Sequence, residues 1–136
     1  MTVNLARPAL DVGIVTKDIA SMLAFYRGAL GLEAQPPVEI PGVGRIHRLV
    51  VGTSVLRLLD PDVSPPGEAP AGESVYSATG IRFITLAVRN LDEVLDDCLR
   101  FGVAPPRPPR QVGGGVTVVA LRDPDGNWLE LQSTGA

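Results

Sequence analysis

The sequence predicts an α+β fold built from two copies of one module, each a strand, a helix and two or three further strands. Three observations carry that expectation. A pattern recurs at an offset of 72 residues, from Asp11 to Phe83 and from Asp18 to Asn90. Each predicted helix has a capping residue before it and a glycine after it. Each is then followed by two strand-like runs joined by turn residues.

The elements follow in order. Asp11 to Val15 alternates as a half-buried strand does. Asp18 is a side-chain N-cap, whose oxygen can accept the free amides of a first helical turn. Ile19, Met22, Leu23, Tyr26 and Leu30 then recur at helical spacing, and Gly31 stands where a left-handed cap belongs. The second copy repeats this with Phe83 to Asn90, a helix on Leu91, Val94, Leu95 and Cys98, and Gly102. Proline-rich bends follow at 35–38 and 104–110. Strand runs are expected at 45–51 and 54–59, turning at Gly52-Thr53, and at 116–122 and 127–132, turning at 123–126. Residues 60–80 hold Pro, Gly, Ser and Glu without period and read as a link. The expectation is a single domain over 1–136, with module one at about 8–60, a link at about 61–80 and module two at about 81–133. Neither half can bury its own sheet face, so the halves are expected to pair.

Composition narrows the function classes. The chain has 136 residues, 45% hydrophobic and 20% charged, with a formal charge of −3. That balance points away from disorder and from nucleic acid, which usually wants a basic domain. A single cysteine, Cys98, allows no intrachain disulfide and no cysteine-based zinc site. Residues 1–10 do not read as a signal peptide, and no run is long enough to span a membrane. The expectation is a cytoplasmic protein.

Two phrases point to a family. Val15-Thr-Lys-Asp-Ile-Ala-Ser-Met-Leu-Ala-Phe-Tyr-Arg-Gly-Ala-Leu-Gly31 resembles the helix signature of the vicinal oxygen chelate superfamily, which includes glyoxalase I, bleomycin-resistance proteins and extradiol dioxygenases. Arg122-Asp-Pro-Asp-Gly-Asn-Trp-Leu-Glu-Leu131 resembles its closing hairpin. The resemblance implies two paired βαβββ modules forming an incompletely closed, U-shaped sheet around a cleft, and a homodimer. It also implies a metal ligand on each of four strands. Carried onto this chain, those positions are Asp11, Arg57, Phe83 and Glu130. Only Glu130 is a usual ligand type; Phe83 cannot ligate, and Arg57 puts positive charge where a cation would sit. The expectation is that the divalent-metal site is lost, with no cofactor.

A cleft lined by these positions is mostly apolar with a few polar groups, the usual make-up of a small-molecule site. Asp11 or Glu130 would be a general acid or base with a pKa raised by burial. Arg57 would hold a substrate carboxylate or stabilise an oxyanion, or else form a structural ion pair with one of them. Phe83, Thr85, Trp128, Gln132 and Arg48 are candidate ligand contacts. His47, the sole histidine, is a fourth catalytic candidate, and the hairpin register decides its face. A two-residue Gly52-Thr53 turn pairs Arg48 with Arg57 and points His47 away; one more residue brings it in. Arg107 and Arg110, between prolines, read as solvated, the alternative being a phosphate or coenzyme A tail held there, given the fit of arginine to phosphate. Gly113-Gly-Gly115 reads as a flexible strand entry.

The preferred reading is a metal-independent lyase, isomerase or epimerase acting on a small carbonyl- or carboxylate-bearing molecule. The alternative is a non-catalytic protein that binds an antibiotic, as bleomycin-resistance proteins do. A third reading is a glyoxalase- or dioxygenase-like metal enzyme with atypical ligands. An aromatic content of only 4% favours catalysis over stacking.

Overall fold

The computed structural model describes residues 1–69 and 72–134. The chain divides into two compact units, Met1–Glu68 and Ala69–Ala136. Residues 70 and 71, inside the expected link, lie outside the described residues.

The first unit opens with β1 (Val12–Val15). Asp18 caps α1 (Ile19–Leu23) by accepting from the Ser21 amide at 3.2 Å. The helix then widens into π-helical turns over Ala24–Ala29. There the Leu30 amide reaches back five residues to the Phe25 carbonyl. Gly31 ends it at φ +71, a conformation that costs a side-chain-bearing residue energy. Then come β2 (Glu33–Ala34), β3 (Val38–Ile40), β4 (Gly44–Val51) and β5 (Ser54–Pro61). The sheet order is β1-β5-β4-β2, with β3 also on β4. β1 runs parallel to β5, and β4 antiparallel to it. Val51 pairs with Ser54, so Gly52-Thr53 is a two-residue turn.

The second unit repeats the plan. β6 (Phe83–Ala87) precedes α2 (Leu91–Arg100). Asn90 stands at the cap but makes no side-chain cap bond; its amide donates to Glu93 Oε2 at 3.2 Å instead. Then follow β7 (Arg110–Val112), a short 3-10 turn at Gly113–Gly115, β8 (Val116–Arg122) and β9 (Trp128–Ser133). The order is β6-β9-β8-β7, with β6 parallel to β9. The β8–β9 turn is built on Asp123, which is 4% exposed. Its carboxylate accepts from the Asp125 and Asn127 amides at 3.0 and 2.9 Å and from Asn127 Nδ2 at 2.9 Å.

One face of each sheet is core. In the first, Leu49, Leu56 and Leu58 are buried, as are Met22 and Tyr26 of the helical segment. In the second, Leu121, Leu129 and Leu131 are fully buried, as is Cys98 on α2. Burial pushes the Cys98 thiol pKa up, with the nearby Asp97 adding to it, so it is an inert packing group. Because side chains alternate along a strand, the partners of these leucines are presented on the opposite face. Those are the positions expected to carry chemistry.

Candidate functional site

The parallel pairings set the two modules side by side for comparison. Gly13 stands opposite Arg57 in the first sheet, and Thr85 opposite Glu130 in the second. Arg57 and Glu130 therefore occupy equivalent places, as do Asp11 and Phe83.

In the first module the charged groups consume one another. Asp11 Oδ2 lies 3.0 Å from Arg57 Nη2 and also pairs with Arg7. Asp11 Oδ1 accepts from the Val55 amide at 2.8 Å. Arg7 in turn donates to the Thr53 carbonyl at 2.8 Å, and Thr53 Oγ1 donates to Pro8 at 2.7 Å. Asp11 is thus a clasp holding the segment before β1 onto the β4–β5 turn. The expected raised pKa is corrected here. The Arg7 hydrogen bond first, then the Val55 amide and Arg57, hold the Asp11 carboxyl well below the usual carboxylate range. A carboxylate so stabilised in its charged form is a weak base.

The two-residue turn also settles His47. His47 pairs with Leu58 and Arg48 with Arg57, so His47 lies on the core face, away from Arg57. The structure does not bring it together with the other candidates. Arg48 and Arg57 share a face, and Arg48 Nη2 donates to the Pro36 carbonyl at 3.0 Å.

The second module holds a cavity of about 190 Å³ on the face carrying Phe83, Trp128 and Glu130. Three of the expected residues lie in its wall, and Thr85 joins them by donating to Glu130 Oε1 at 3.2 Å. Gln132 shares the face, two residues along β9. Val118 and Ala120 line it from β8. Trp128 is nearly buried, with the Arg122 guanidinium 4.3 Å from its ring centroid.

Sequence reasoning missed the rest of the wall. Glu73 to Tyr76, placed in the link, line the cavity. Arg82 pins this segment by donating to the Val75 and Ser74 carbonyls at 3.2 Å and to Ser77 Oγ at 2.8 Å. Arg122 donates to the Gly72 carbonyl. Arg107 and Arg110, read as solvated, also line the cavity. The available signal was the alternation itself, since Arg110 pairs with Val118.

A divalent metal at the superfamily's four positions does not fit these residues. The first module offers a carboxylate already shared by two guanidiniums, together with one of those guanidiniums. The second offers Glu130 and a phenyl ring. Oxygen-ligated cations want several free oxygen donors. Among the described residues no group of three or more His, Cys, Asp or Glu could hold a metal ion.

The repeated strand–helix–strands module, its last strand parallel to its first, defines an α+β protein of paired βαβββ type. The family model of the Glyoxalase/Bleomycin resistance protein/Dioxygenase superfamily matches residues 9–131, and the chain belongs to that superfamily. Similar solved structures include a glyoxalase family protein from Bacillus cereus (18% identity, TM-score 0.81, covering 96% of this chain and 95% of that one). Another is the trypanothione-dependent glyoxalase I of Leishmania major (20% identity, TM-score 0.70, 95% and 88%). A third is a fosfomycin resistance protein from Listeria monocytogenes (16% identity, TM-score 0.65, 98% and 94%). No curated protein matches. At these identities the likeness fixes the fold, and the chemistry rests on the residues.

Proposed function

We propose that the chain binds a small carbonyl- or carboxylate-bearing molecule in the second module's cavity. There it moves a proton next to the carbonyl without a metal, with Glu130 as the acid–base group. This is lyase, isomerase or epimerase chemistry. One observation carries the reading: of the two candidate carboxylates, Asp11 is saturated by donors, whereas Glu130 lines a cavity and keeps one oxygen free of any protein partner among the described residues. Thr85 orients that carboxylate, and the apolar wall gives a bound substrate a surface to pack on beside it. The homodimer implied by the family stays part of the proposal.

The test is proton exchange in D₂O, followed by NMR, on a panel of small carbonyl and carboxylate compounds. Wild-type protein should wash deuterium into the position next to the carbonyl of its ligand. Glu130→Gln should bind that ligand and lose the exchange. A variant that exchanges as fast as wild type would remove Glu130 from the mechanism.

A second reading has its own support. Tyr76, Phe83 and Trp128 all line this cavity, half of a complement of three Phe, two Tyr and one Trp. The low aromatic content therefore does not weigh against stacking, because the rings are concentrated where a ligand sits. Saturable binding of a flat compound, with no exchange in any bound member of the panel, would favour the non-catalytic binding protein.

A further inference from the structure

We infer that this cavity takes a small apolar oxyanion, a carboxylate or a phosphate monoester, lengthwise. Its anionic group sits on Arg107 and Arg110, its body lies over Val118 and Ala120 between the aromatic rings, and its far end meets Glu130. The inference rests on the cavity being the ligand site and adds which end of the ligand goes where.

Three observations converge. Arg107 and Arg110 line the cavity, yet their side chains have no hydrogen bond or ion pair among the described residues. Of the unit's other arginines, Arg82, Arg100 and Arg122 are engaged, with the 74–77 turn, with Asp97, and with Trp128 and Gly72, and Arg89 does not line the cavity. The second observation is distance. Arg110 pairs with Val118 on β8, and Glu130 pairs with Ala120, the next residue on that face. Arg110 and Glu130 are therefore two strand spacings apart across the sheet and two residues apart along it. That puts their Cα atoms roughly 12 Å apart. Both line the cavity, and no salt bridge joins them among the described residues. The floor between them, Val118 and Ala120, is small and apolar. The third observation is rigidity. Arg107 sits between Pro105-Pro106 and Pro108-Pro109, and Arg110 starts β7. Proline fixes the backbone, so less freedom is lost when the guanidiniums close on a ligand.

The guanidinium fork matches both carboxylate and phosphate oxygens. A ligand with one such group, an apolar middle and an acidic C–H or donor at the other end matches Arg107 and Arg110, the apolar floor and Glu130 in turn. The same placement would aim the reacting end at Glu130 and keep the ligand's own charge away from that carboxylate.

The test uses Trp128, the chain's single tryptophan, as the reporter. Its fluorescence is titrated with benzoate, with the neutral isostere benzamide and with phenyl phosphate. Benzoate or phenyl phosphate should bind at least about tenfold more tightly than benzamide, and the preference should shrink as salt screens the charge. The tighter of the two anions assigns the source. The double variant Arg107→Ala/Arg110→Ala, altered at exposed positions, should bring the preference within about twofold by weakening the anions far more than benzamide. Equal binding of benzoate and benzamide to wild type overturns the anion anchor and leaves the cavity as a ligand site. A preference that survives in the double variant overturns the assignment to these arginines. Silence of Trp128 to all three probes overturns it together with the cavity reading. Proton exchange that persists in Glu130→Gln, by contrast, would refute the mechanism alone.

Discussion

The two modules share one topology and put opposite chemistry at its equivalent positions. Where β5 carries Arg57, β9 carries Glu130; where the first module has Asp11, the second has Phe83. In the first, a carboxylate meets two guanidiniums and a backbone amide and becomes a fastener. In the second, a phenyl ring takes the carboxylate's place, no guanidinium among the described residues pairs with Glu130, and a cavity remains. One topology thus carries a fastener of charged groups in the first module and a cavity in the second.

The largest effect that would break this contrast is on turnover. Glu130→Gln should lower proton exchange by about 10²–10⁴-fold, the usual worth of a positioned acid–base group, with Trp128-detected binding retained. Asp11→Asn should leave exchange near wild type. If Asp11→Asn also abolished exchange with binding intact, the division of labour would be wrong.

Next comes a contrast between hairpins. In the second module's β8–β9 turn buried Asp123 accepts from the Asp125 and Asn127 amides and from Asn127 Nδ2, whereas the first module's turn has Gly52 at φ +58 and is tied to the preceding segment through Thr53. Asp123→Ala leaves part-buried amides without their acceptor and should cost about 2 kcal/mol. Gly52→Ala should cost about 1 kcal/mol, the strain of a left-handed alanine. Urea midpoints of the two variants rank them, and equal costs would mean the Asp123 network adds little.

Smaller still is the effect of Arg122→Ala. The guanidinium over the Trp128 ring contributes about 0.5–1 kcal/mol, and it also holds the Gly72 carbonyl. Its loss should expose the indole and shift its emission to the red. Unchanged emission would mean that the segment from Gly72 to Tyr76 covers the ring without Arg122.

These contrasts also mark what the sequence could show. The repeat, the Asp18 cap, the glycines after each helix and the Gly52-Thr53 turn are local signals. Each acts within a few residues, so each was legible. The two-residue turn even carried the pairing of Arg48 with Arg57. Asp11 misled because its partners are not its sequence neighbours in any strand pattern: Arg7 reaches it from an irregular segment, and Val55 from across the sheet. The wall at Glu73 to Tyr76 was invisible for a similar reason. It has no periodicity, and its order comes from Arg82 and Arg122, whose targets are carbonyls that any sequence would offer. Arg107 and Arg110 looked solvated because prolines flank them; the register of β7 against β8 is what turns Arg110 to the cavity face.

The gentlest test probes the clasp through pH. The Asp11 carboxyl has a folded pKa below the ordinary aspartate value of 3.8. By linkage, a depressed folded pKa gives stability that is fully present above the unfolded value and is lost as the pH falls through the folded one. Asn at this position keeps one acceptor oxygen for the Val55 amide but cannot pair as a charge with Arg7 and Arg57. The gap in urea midpoint between wild type and Asp11→Asn should therefore be complete at pH 7 and begin to close below about pH 4. Arg7→Ala should narrow the gap at pH 7 more than Arg57→Ala, because Arg7 is the larger source of the shift. Curves for wild type and Asp11→Asn that run parallel from pH 7 to pH 3 would show that Asp11 is not clasped in solution. The first module would then hold a free carboxylate as the second does, and the asymmetry between the two sites would vanish.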